Sequence, residues 1–310
     1  MSSASGDAFT IANLTGDPRR RLRERLIKRA FQLAAIISVV ISLVIVLALA
    51  GKAIDFLRSI DLGHLWGDGW FPRRRMFDLK TILVGTLLVT GIALLVAAPL
   101  GLGAAIYLSE YAKPRLRRLL KPVLEILASV PSVVLGFFAL TWISPHIVER
   151  LCGQSAIFNL AAAGIGVGIL VTPLIASVAE DALRSVPDSL REASLGLGAK
   201  KGTTTARVVL PAAVSGIAAS LIIGISRAIG ETMVVAIAAG ATGGSLFSVD
   251  PCSPGQTMTA AMASLAIGSD RVGQAGAVES LFFVGLLLFA MTLTLNLVSE
   301  RFVRRTRRAY

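Results

Sequence analysis

The sequence predicts an all-α protein that crosses a membrane six times. Of its 310 residues, 54% are hydrophobic, and the mean hydropathy of +0.73 is far above that of soluble domains. Six apolar runs meet or approach the roughly 20 residues that a helix needs to cross a bilayer, where backbone groups must be satisfied internally. The basic residues stand in short runs between these stretches, which argues against one soluble face for nucleic acid.

The predicted spans set the topology. With a cytoplasmic N-terminus, 22 of the 31 lysines and arginines lie in cytoplasmic segments and eight in outer loops, while Arg227 lies within a span. This bias predicts that both termini are cytoplasmic, although Arg73 to Arg75 fall in an outer loop against the trend. The spans are Phe31 to Ala50, Ile82 to Tyr107, Val123 to Ile143, Leu160 to Val178, Gly216 to Gly240 and Leu281 to Val298.

The chain before and within the first span allows two interpretations. Its apolar core is longer than the roughly 7 to 15 residues of a signal peptide, which favours a retained anchor, but cleavage after Ala48-Leu49-Ala50 stays open. Residues 1 to 18 are predicted to be disordered. Arg19 to Arg29 would either lie against anionic headgroups or simply set the topology. The predicted domains are a disordered and basic cytoplasmic tail at 1–29, the first span with an outer loop at 30–80, a permease core at 81–300 and a basic tail at 301–310.

Three outer segments carry local signals. The loop from Gly51 to Lys80 holds an aromatic group at Trp66 to Pro72, as expected of an anchor at the membrane interface. The stretch from Gln256 to Gly268 is apolar but too short to span, which predicts an interfacial or re-entrant helix. Cys152 and Cys252 both fall in outer loops, where a disulfide is permitted, but the sequence does not report their separation and favours two unrelated small residues.

The loop between spans four and five, Asp181 to Pro211, reads as two helical pieces broken by glycines and is too polar for the membrane. Small side chains let a short helix approach another protein closely, and a glycine permits a sharp turn after it. Proline suits the first turn of the next helix. The residues that carry this pattern are Glu192, Ala193, Ser194, Gly198, Leu210 and Pro211.

This loop resembles the E-A-A, three residues, G, nine residues, I-x-L-P signature of ABC importer permeases. Ser194 replaces the second Ala and Val208 replaces Ile, while every spacing is kept. The resemblance implies the type I importer permease fold, with a coupling helix between Asp188 and Lys201 that docks on an ATPase subunit. An ordinary amphipathic loop helix is the alternative. No Walker A pattern occurs in the sequence, so ATP hydrolysis is expected of partner subunits and not of this chain.

A charged pair lies in the fifth predicted span. Arg227 and Glu231 stand at i and i+4 and share a helix face. A charge in mid-membrane costs about 2.5–3.5 kcal/mol on the lenient insertion scale, so such residues usually have a functional reason. The alternative is a purely structural ion pair. Hydroxyls that could add contacts to the same path are Ser132, Ser226 and Thr232, each of which equally serves helix-to-helix hydrogen bonding.

The block from Ser226 to Met233 resembles the R-A-[I/L]-G-E-T segment of phosphate importer permeases. Ala105 to Tyr111 and Pro131 to Gly136 match two further blocks of that family, and Pro254 to Met258 looks more like the C-type permease (PstC) than the A-type. The resemblance covers roughly Trp66 to Arg301. It implies a channel-forming subunit that works with a second, A-type permease, two ATP-binding subunits, an extracytoplasmic phosphate-binding protein and membrane lipid, without nucleic acid.

Chemistry supports the charged pair as an anion contact. A guanidinium forms two parallel hydrogen bonds to an oxyanion and offsets the cost of a dianion in the membrane. Glu231 would hold Arg227 and accept a hydrogen bond from a P–OH group, which sulfate lacks, so its carboxylate would repel sulfate. Pro131 is expected to loosen the third span by freeing a carbonyl. The rival functions are import of sulfate, molybdate or phosphonate, and an intramembrane enzyme. The second has little support, since His64 and His146 are expected in outer loops and no metal-ligand cluster or cofactor motif occurs.

Overall fold

A computed structural model describes residues 18–67, 69–153, 156–240, 243–267 and 276–307. Residues 1–17 of the predicted tail, Gly268 at the predicted end of the short outer helix, and residues 308–310 lie outside this part. The chain divides after Gly51 into two units. In the first, the chain is helical from Pro18 onward, so the basic stretch Arg19 to Arg29 is helical, and the apolar side chains that follow it are exposed.

Helices make up most of the described chain. They are α1 Pro18–Ser59, α2 Leu79–Ile106, α3 Pro114–Ala128, α4 Ser132–Phe138, α5 Leu160–Arg184, α6 Asp188–Gly196, α7 Lys201–Ala212, α8 Val214–Ile229, α9 Met233–Ala238, α10 Met258–Ile267 and α11 Ala277–Arg307. Two continue as π-helix: α2 through Tyr107–Tyr111, and α4 through Ala139–Val148 to a last turn at Glu149–Cys152. The middle of α7, Thr205–Val209, is also π-helical.

Five of the described helices are long and apolar enough to cross a membrane, namely α1, α2, extended α4, α5 and α11. The pair α7 and α8, bent by 71° between them, makes a sixth if it counts as one broken span. The predicted all-α class is therefore confirmed, and the number of spans fits the prediction when the bent pair counts as one span. Four predicted spans lie within α1, α2, α5 and α11, and the remaining two differ from their prediction.

The third span lies further along the chain than predicted. Instead of Val123 to Ile143, the crossing helix is Ser132–Cys152, and Val123 to Ala128 belong to the separate helix α3. The break falls before Pro131, which has no N–H and disfavours a helical conformation in the preceding residue. Pro131 is thus the N-cap of α4 and does not loosen a continuous helix. His146, expected in a loop, lies inside this span and stacks on Trp142 at 5.4 Å.

The fifth span is not one helix from Gly216 to Gly240. α8 ends at Ile229, Gly230 is its C-cap, and α9 begins at Met233. Pro211 was expected in the first turn of this span, but it lies at the end of α7, just before the 71° bend. The absence of a proline N–H fits an interrupted helix at that point.

α2 and α5 pack side by side and run parallel. Gly164 faces Ile92 and Gly168 faces Val96, and a Cβ atom on either glycine would lie 2.7 or 2.8 Å from the neighbouring Cβ. Small residues of this kind let membrane helices approach closely and gain van der Waals contact. Because the helices are parallel, their N-terminal ends share one end of the bundle, and their C-terminal ends share the other, near α6.

The N-terminal end of α2 carries a small sheet. Its strands β1 Gly69–Phe71, β2 Met76–Phe77 and β3 Ser245–Leu246 are antiparallel in the order β2-β1-β3, with Trp70 opposite Phe77. Trp66 is exposed, as expected of an interfacial anchor, but Trp70 is 1% exposed and belongs to the core behind the sheet. The same end holds a disulfide between Cys152 and Cys252, the pairing that the sequence left open.

Candidate functional site

The predicted charged pair stands at the break between α8 and α9. Arg227 lies in the last turn of α8, where a cation is favoured by the helix dipole. Its Nη2 atom is 3.5 Å from Oε2 of Glu231, which confirms that the two side chains pair. Their exposure differs sharply, because the Arg227 side chain is 52% exposed and the Glu231 side chain 3%. The guanidinium of Arg227 is therefore exposed, whereas the carboxylate of Glu231 is buried.

Glu231 also caps α9. Its Oε1 atom accepts hydrogen bonds from the backbone N–H groups of Met233 at 3.2 Å and Val234 at 3.4 Å. These are two of the donors that a helix start leaves without an intrahelical partner. One carboxylate thus holds α9 through one oxygen and Arg227 through the other, and this links the short helix to the exposed guanidinium.

Neighbouring helices fix the break. The Thr259 hydroxyl of α10 donates to the backbone carbonyl of Glu231 at 2.7 Å. The Ser226 hydroxyl donates to the side-chain oxygen of Asn296 on α11 at 3.1 Å. The Thr232 hydroxyl donates to the Gly230 carbonyl at 3.4 Å, and this contact is local. Polar groups hydrogen-bonded between apolar helices keep an interrupted segment from leaving its backbone unsatisfied.

Ser132 reaches the site through helix packing. It lies in the first turn of α4, and Gly136 of the same helix faces α9, where an added Cβ would lie 3.1 Å from Ile237 and 3.2 Å from the Met233 carbonyl oxygen. Two short helices that each begin after a break are therefore in direct contact. Within the described residues Ser132 itself has no hydrogen bond to Arg227 or Glu231.

The second predicted site is the helix α6 and the turn after it. Leu197 is 90% exposed, and Gly198 has φ +82°, a conformation that glycine adopts without the steric cost of a side chain. Glu192 and Ala193 are exposed, while the Ser194 hydroxyl lies 2.9 Å from that of Thr204 in α7. Leu210 and Pro211 are half-buried at the far end of α7. The predicted helix, glycine turn and second helix are all present.

Arg191 fastens α6 to the transmembrane helices. Its guanidinium donates to the carbonyls of Val186 at 2.6 Å and Leu183 at 2.8 Å, at the end of α5. It also pairs with Glu110, in the π-helical end of α2, at 2.9 Å and with Asp188 at 3.1 Å. The planar guanidinium of Arg191 carries several N–H donors, which lets it contact these carbonyls and carboxylates at the same time. Arg191 therefore links α6 to both α2 and α5.

The sequence missed several members of these sites. Thr259 and Asn296 contact the break between α8 and α9, and Glu110 anchors Arg191. A lone amide at Asn296 within an apolar helix was the available signal, since polar side chains there need partners. Thr259 and Glu110 gave no such signal, because their partners are 28 and 81 residues away in the chain.

Similarity to known proteins bears on both sites. The model of the family "Binding-protein-dependent transport system inner membrane component" matches residues 97–308. The phosphate transport system permease protein PstC 1 of Mycobacterium tuberculosis is 32% identical over 258 residues, 76% of this chain and 75% of that protein. The probable ABC transporter permease protein YqgH of Bacillus subtilis is 32% identical over 241 residues, 77% of this chain and 74% of that protein.

Solved structures agree on the fold. A bacterial ABC transporter involved in the import of the acidic polysaccharide alginate matches 92% of this chain and 99% of its own with a TM-score of 0.62 at 18% identity. The MetNI methionine ABC transporter matches 73% and 93% with a TM-score of 0.51 at 21% identity. With the family model covering more than half of the sequence, this chain belongs to the inner-membrane components of binding-protein-dependent transport systems, as a permease subunit of an ABC importer.

Proposed function

We propose that this subunit forms half of a channel that imports inorganic phosphate. The observation that carries the proposal is the exposed guanidinium of Arg227, held by the buried Glu231 at a helix break within the membrane-spanning part. The relatives named as phosphate transport permeases (PstC) are about 30% identical over most of the chain, which supports phosphate as the substrate.

The geometry suits a transient anion contact. A guanidinium binds phosphate through parallel charge-assisted hydrogen bonds, and its positive charge lowers the cost of bringing an anion into the membrane. Glu231 neutralises Arg227 between transport events and prevents tight trapping. We assign Ser226, Thr232 and Ser132 to the surrounding pathway, where their hydroxyls add neutral contacts for phosphate oxygens.

We infer the other subunits of the importer from the position of α6. An exposed α6, fastened to α2 and α5 by Arg191, would dock on an ATP-binding subunit, with Glu192, Ala193, Ser194, Gly198, Leu210 and Pro211 shaping the contact and its support. ATP hydrolysis would then belong to two such subunits, and this chain would have no catalytic site. This places the α6 end and both termini in the cytoplasm, and the sheet end outside, where a phosphate-binding protein would deliver substrate.

The second permease of the channel is proposed to be a homologous A-type chain. PstA 1 of Mycobacterium tuberculosis is 39% identical to this chain over 173 residues, which supports a partner that is homologous to this chain. A pair of related subunits fits the preference of membrane complexes for symmetric or near-symmetric assembly.

Import of another oxyanion is the second candidate. The structural neighbours handle alginate and methionine, so the fold itself serves unrelated substrates. Because Arg227 would also bind sulfate, a test of Arg227 has to measure the uptake of both phosphate and sulfate.

Radiolabelled phosphate uptake in cells that carry Arg227→Ala tests the proposal. We expect uptake to fall by at least about tenfold, since one lost charge-assisted bond is worth about 1.5–3 kcal/mol. Arg227→Lys should retain part of the activity, because it keeps the charge without the planar fork.

Arg58→Ala is the matched control, an exposed arginine at the end of α1. Its uptake should equal that of the wild type, with membrane insertion of every variant checked by immunoblot. Normal phosphate uptake by a correctly inserted Arg227→Ala variant would exclude Arg227 as the anion contact. Loss of sulfate uptake, with phosphate uptake unaffected, would favour the second candidate.

A further inference from the structure

A basic pocket of about 770 Å³ lies at the α6 end of the bundle and shares no lining residue with the break between α8 and α9. Only two carboxylates, Glu110 and Asp188, line it. Against them stand six cationic side chains: Arg117, Arg118, Lys121, Arg184, Arg191 and Lys201. The proposed transport function uses none of these groups except Arg191.

A buried carboxylate organises the floor of this pocket. The Glu180 side chain of α5 is 1% exposed and forms an ion pair with Arg117 of α3. It also lies 3.2 Å from Lys121 and 4.0 Å from Arg184. A buried charge is tolerated when it is paired, and here one carboxylate is shared by three cations from two helices. Glu180 thus fixes a cluster of cations that it only partly neutralises.

Positive charge therefore remains in excess. Arg191 is satisfied by Glu110 and Asp188, whereas among the described residues Arg118 and Lys201 pair with no carboxylate. The Arg118 Nε–H donates to the Pro114 carbonyl at 3.3 Å, and the Lys201 ammonium lies 5.2 Å from the Tyr111 ring centroid.

Lys121 stays protonated despite its setting. Burial lowers its pKa, but hydrogen bonds and charges from Asp181 and Glu180 outweigh this and raise the pKa above its ordinary value. Lys121 thus adds a positive charge to the pocket, which has room for an anion beside it.

The helix α3 that forms one wall also has the features of a helix at a membrane surface. Three of its four basic residues, Arg117, Arg118 and Lys121, line the pocket, while an apolar stripe at spacings of three and four residues is exposed. Such a helix lies at the boundary between headgroups and acyl chains. The stripe consists of Leu116, Leu119, Val123, Ile126 and Leu127.

We propose that the basic pocket binds the phosphate group of an anionic phospholipid, whose acyl chains lie along the apolar stripe of α3. A phosphodiester headgroup offers the oxygens that arginine and lysine bind, and basic pockets between membrane helices on the cytoplasmic side bind such headgroups. The proposal rests on the proposed function in one respect, because that function places the α6 end at the cytoplasmic leaflet.

Lipid titration of the delipidated, purified complex tests this, with bound lipid counted by native mass spectrometry. Phosphatidylglycerol and phosphatidylcholine of the same chain length are compared on wild type and on the double variant Arg118→Gln/Arg184→Gln. We expect phosphatidylglycerol to bind more tightly than phosphatidylcholine, and the double variant to weaken that binding about thirtyfold. The matched control Arg115→Gln/Arg207→Gln removes two exposed arginines that do not line the pocket and should change the binding by less than about twofold.

Four results would overturn the proposal. Equal binding of both lipids, or an equal loss in the control variant, would mean that the pocket selects no headgroup. Phosphatidylglycerol binding that appears only after the ATPase subunits are removed from the complex would assign the pocket to an acidic surface of that partner. A second arm measures labelled inorganic phosphate without anionic lipid, and tighter binding there than of lipid would make free phosphate the ligand.

Arg227→Ala separates this proposal from the transport function. We expect this variant to lose phosphate uptake and keep phosphatidylglycerol binding, while Arg118→Gln/Arg184→Gln loses the lipid. Normal uptake in Arg227→Ala would refute the transport role alone, and unchanged lipid binding in the double variant would refute the pocket alone.

Discussion

At the scale of the residue, Glu231 combines two tasks that usually fall to different side chains. Its Oε1 atom accepts hydrogen bonds from two backbone N–H groups of α9, and its Oε2 atom pairs with the guanidinium of Arg227. A buried carboxylate is costly unless such hydrogen bonds and a counter-charge compensate it. The Arg227 side chain is not buried in this way. Its position therefore depends more on Glu231 than the position of Glu231 depends on Arg227.

Glu231→Gln tests whether the carboxylate positions Arg227 or selects the substrate. Since both oxygens are engaged and the side chain is 3% exposed, we expect phosphate uptake to fall about tenfold through displacement of Arg227. The preference for phosphate over sulfate should persist. The measurement is uptake of each anion alone and in competition, with Glu149→Gln, an exposed acid near the end of the third span, as the control. A selective rise in sulfate uptake would instead support the repulsion of sulfate that the sequence suggested.

At the scale of the element, the contact of α2 with α5 depends on glycines that leave no room for a side chain. A Cβ on Gly168 would lie 2.8 Å from Cβ of Val96 and 2.9 Å from the carbonyl oxygen of Ala93. Backbone atoms cannot move away as easily as the end of a flexible side chain. Overpacking of this kind costs about 1–3 kcal/mol.

We therefore expect Gly168→Ala to lower the free energy of unfolding by about 1–3 kcal/mol, which would appear as a lower melting temperature of the purified protein in detergent. Gly103→Ala is the matched control, because its added Cβ meets nothing within 4 Å and alanine favours the helix. Equal melting temperatures for the two variants would contradict the close contact of α2 and α5.

Elements also show what the sequence could and could not predict. The start of α5 at Leu160, the helix α6 and the turn at Gly198 follow from local patterns, since apolar runs, small residues and a glycine act within a few positions. The third span was misplaced because Val123, Ile126 and Leu127 are apolar, although they form only one face of the amphipathic helix α3. Hydropathy averages over a window and does not register that a break at Pro131 assigns those residues to another helix.

The candidate site also has features that the sequence predicts and features that it does not. The pairing of Arg227 with Glu231 is a matter of helix spacing, and the sequence was sufficient for it. The capping of α9 by Glu231, the Arg191–Glu110 pair and the buried Glu180 cluster depend on a broken helix or on contacts between distant segments. Neither hydropathy nor motif spacing reports such contacts, because the pairs are set by tertiary packing.

At the scale of the whole molecule, the two ends of the bundle differ in chemistry. The sheet end holds the Cys152–Cys252 disulfide, which ties residues 100 positions apart. The α6 end holds the basic pocket and the exposed Leu197. Disulfides persist in oxidising compartments, and basic clusters are enriched on the cytoplasmic side of membranes. Both features support the proposal that the sheet end faces outward, even though Arg73 to Arg75 lie near the sheet.

This orientation predicts the reactivity of single cysteines towards a maleimide that cannot cross membranes. In Cys152→Ala the remaining thiol of Cys252 should be labelled on intact cells, once any outer membrane has been opened, because its loop faces outward. In a Cys152→Ala/Cys252→Ala background, Leu197→Cys should be labelled only after the cytoplasmic membrane is permeabilised, since Leu197 is 90% exposed at the opposite end. The wild type should remain unlabelled until a reductant opens the disulfide. Labelling of Leu197→Cys in intact cells would contradict this topology. It would also contradict the docking of α6 on an ATPase subunit and the position of the basic pocket at the cytoplasmic leaflet.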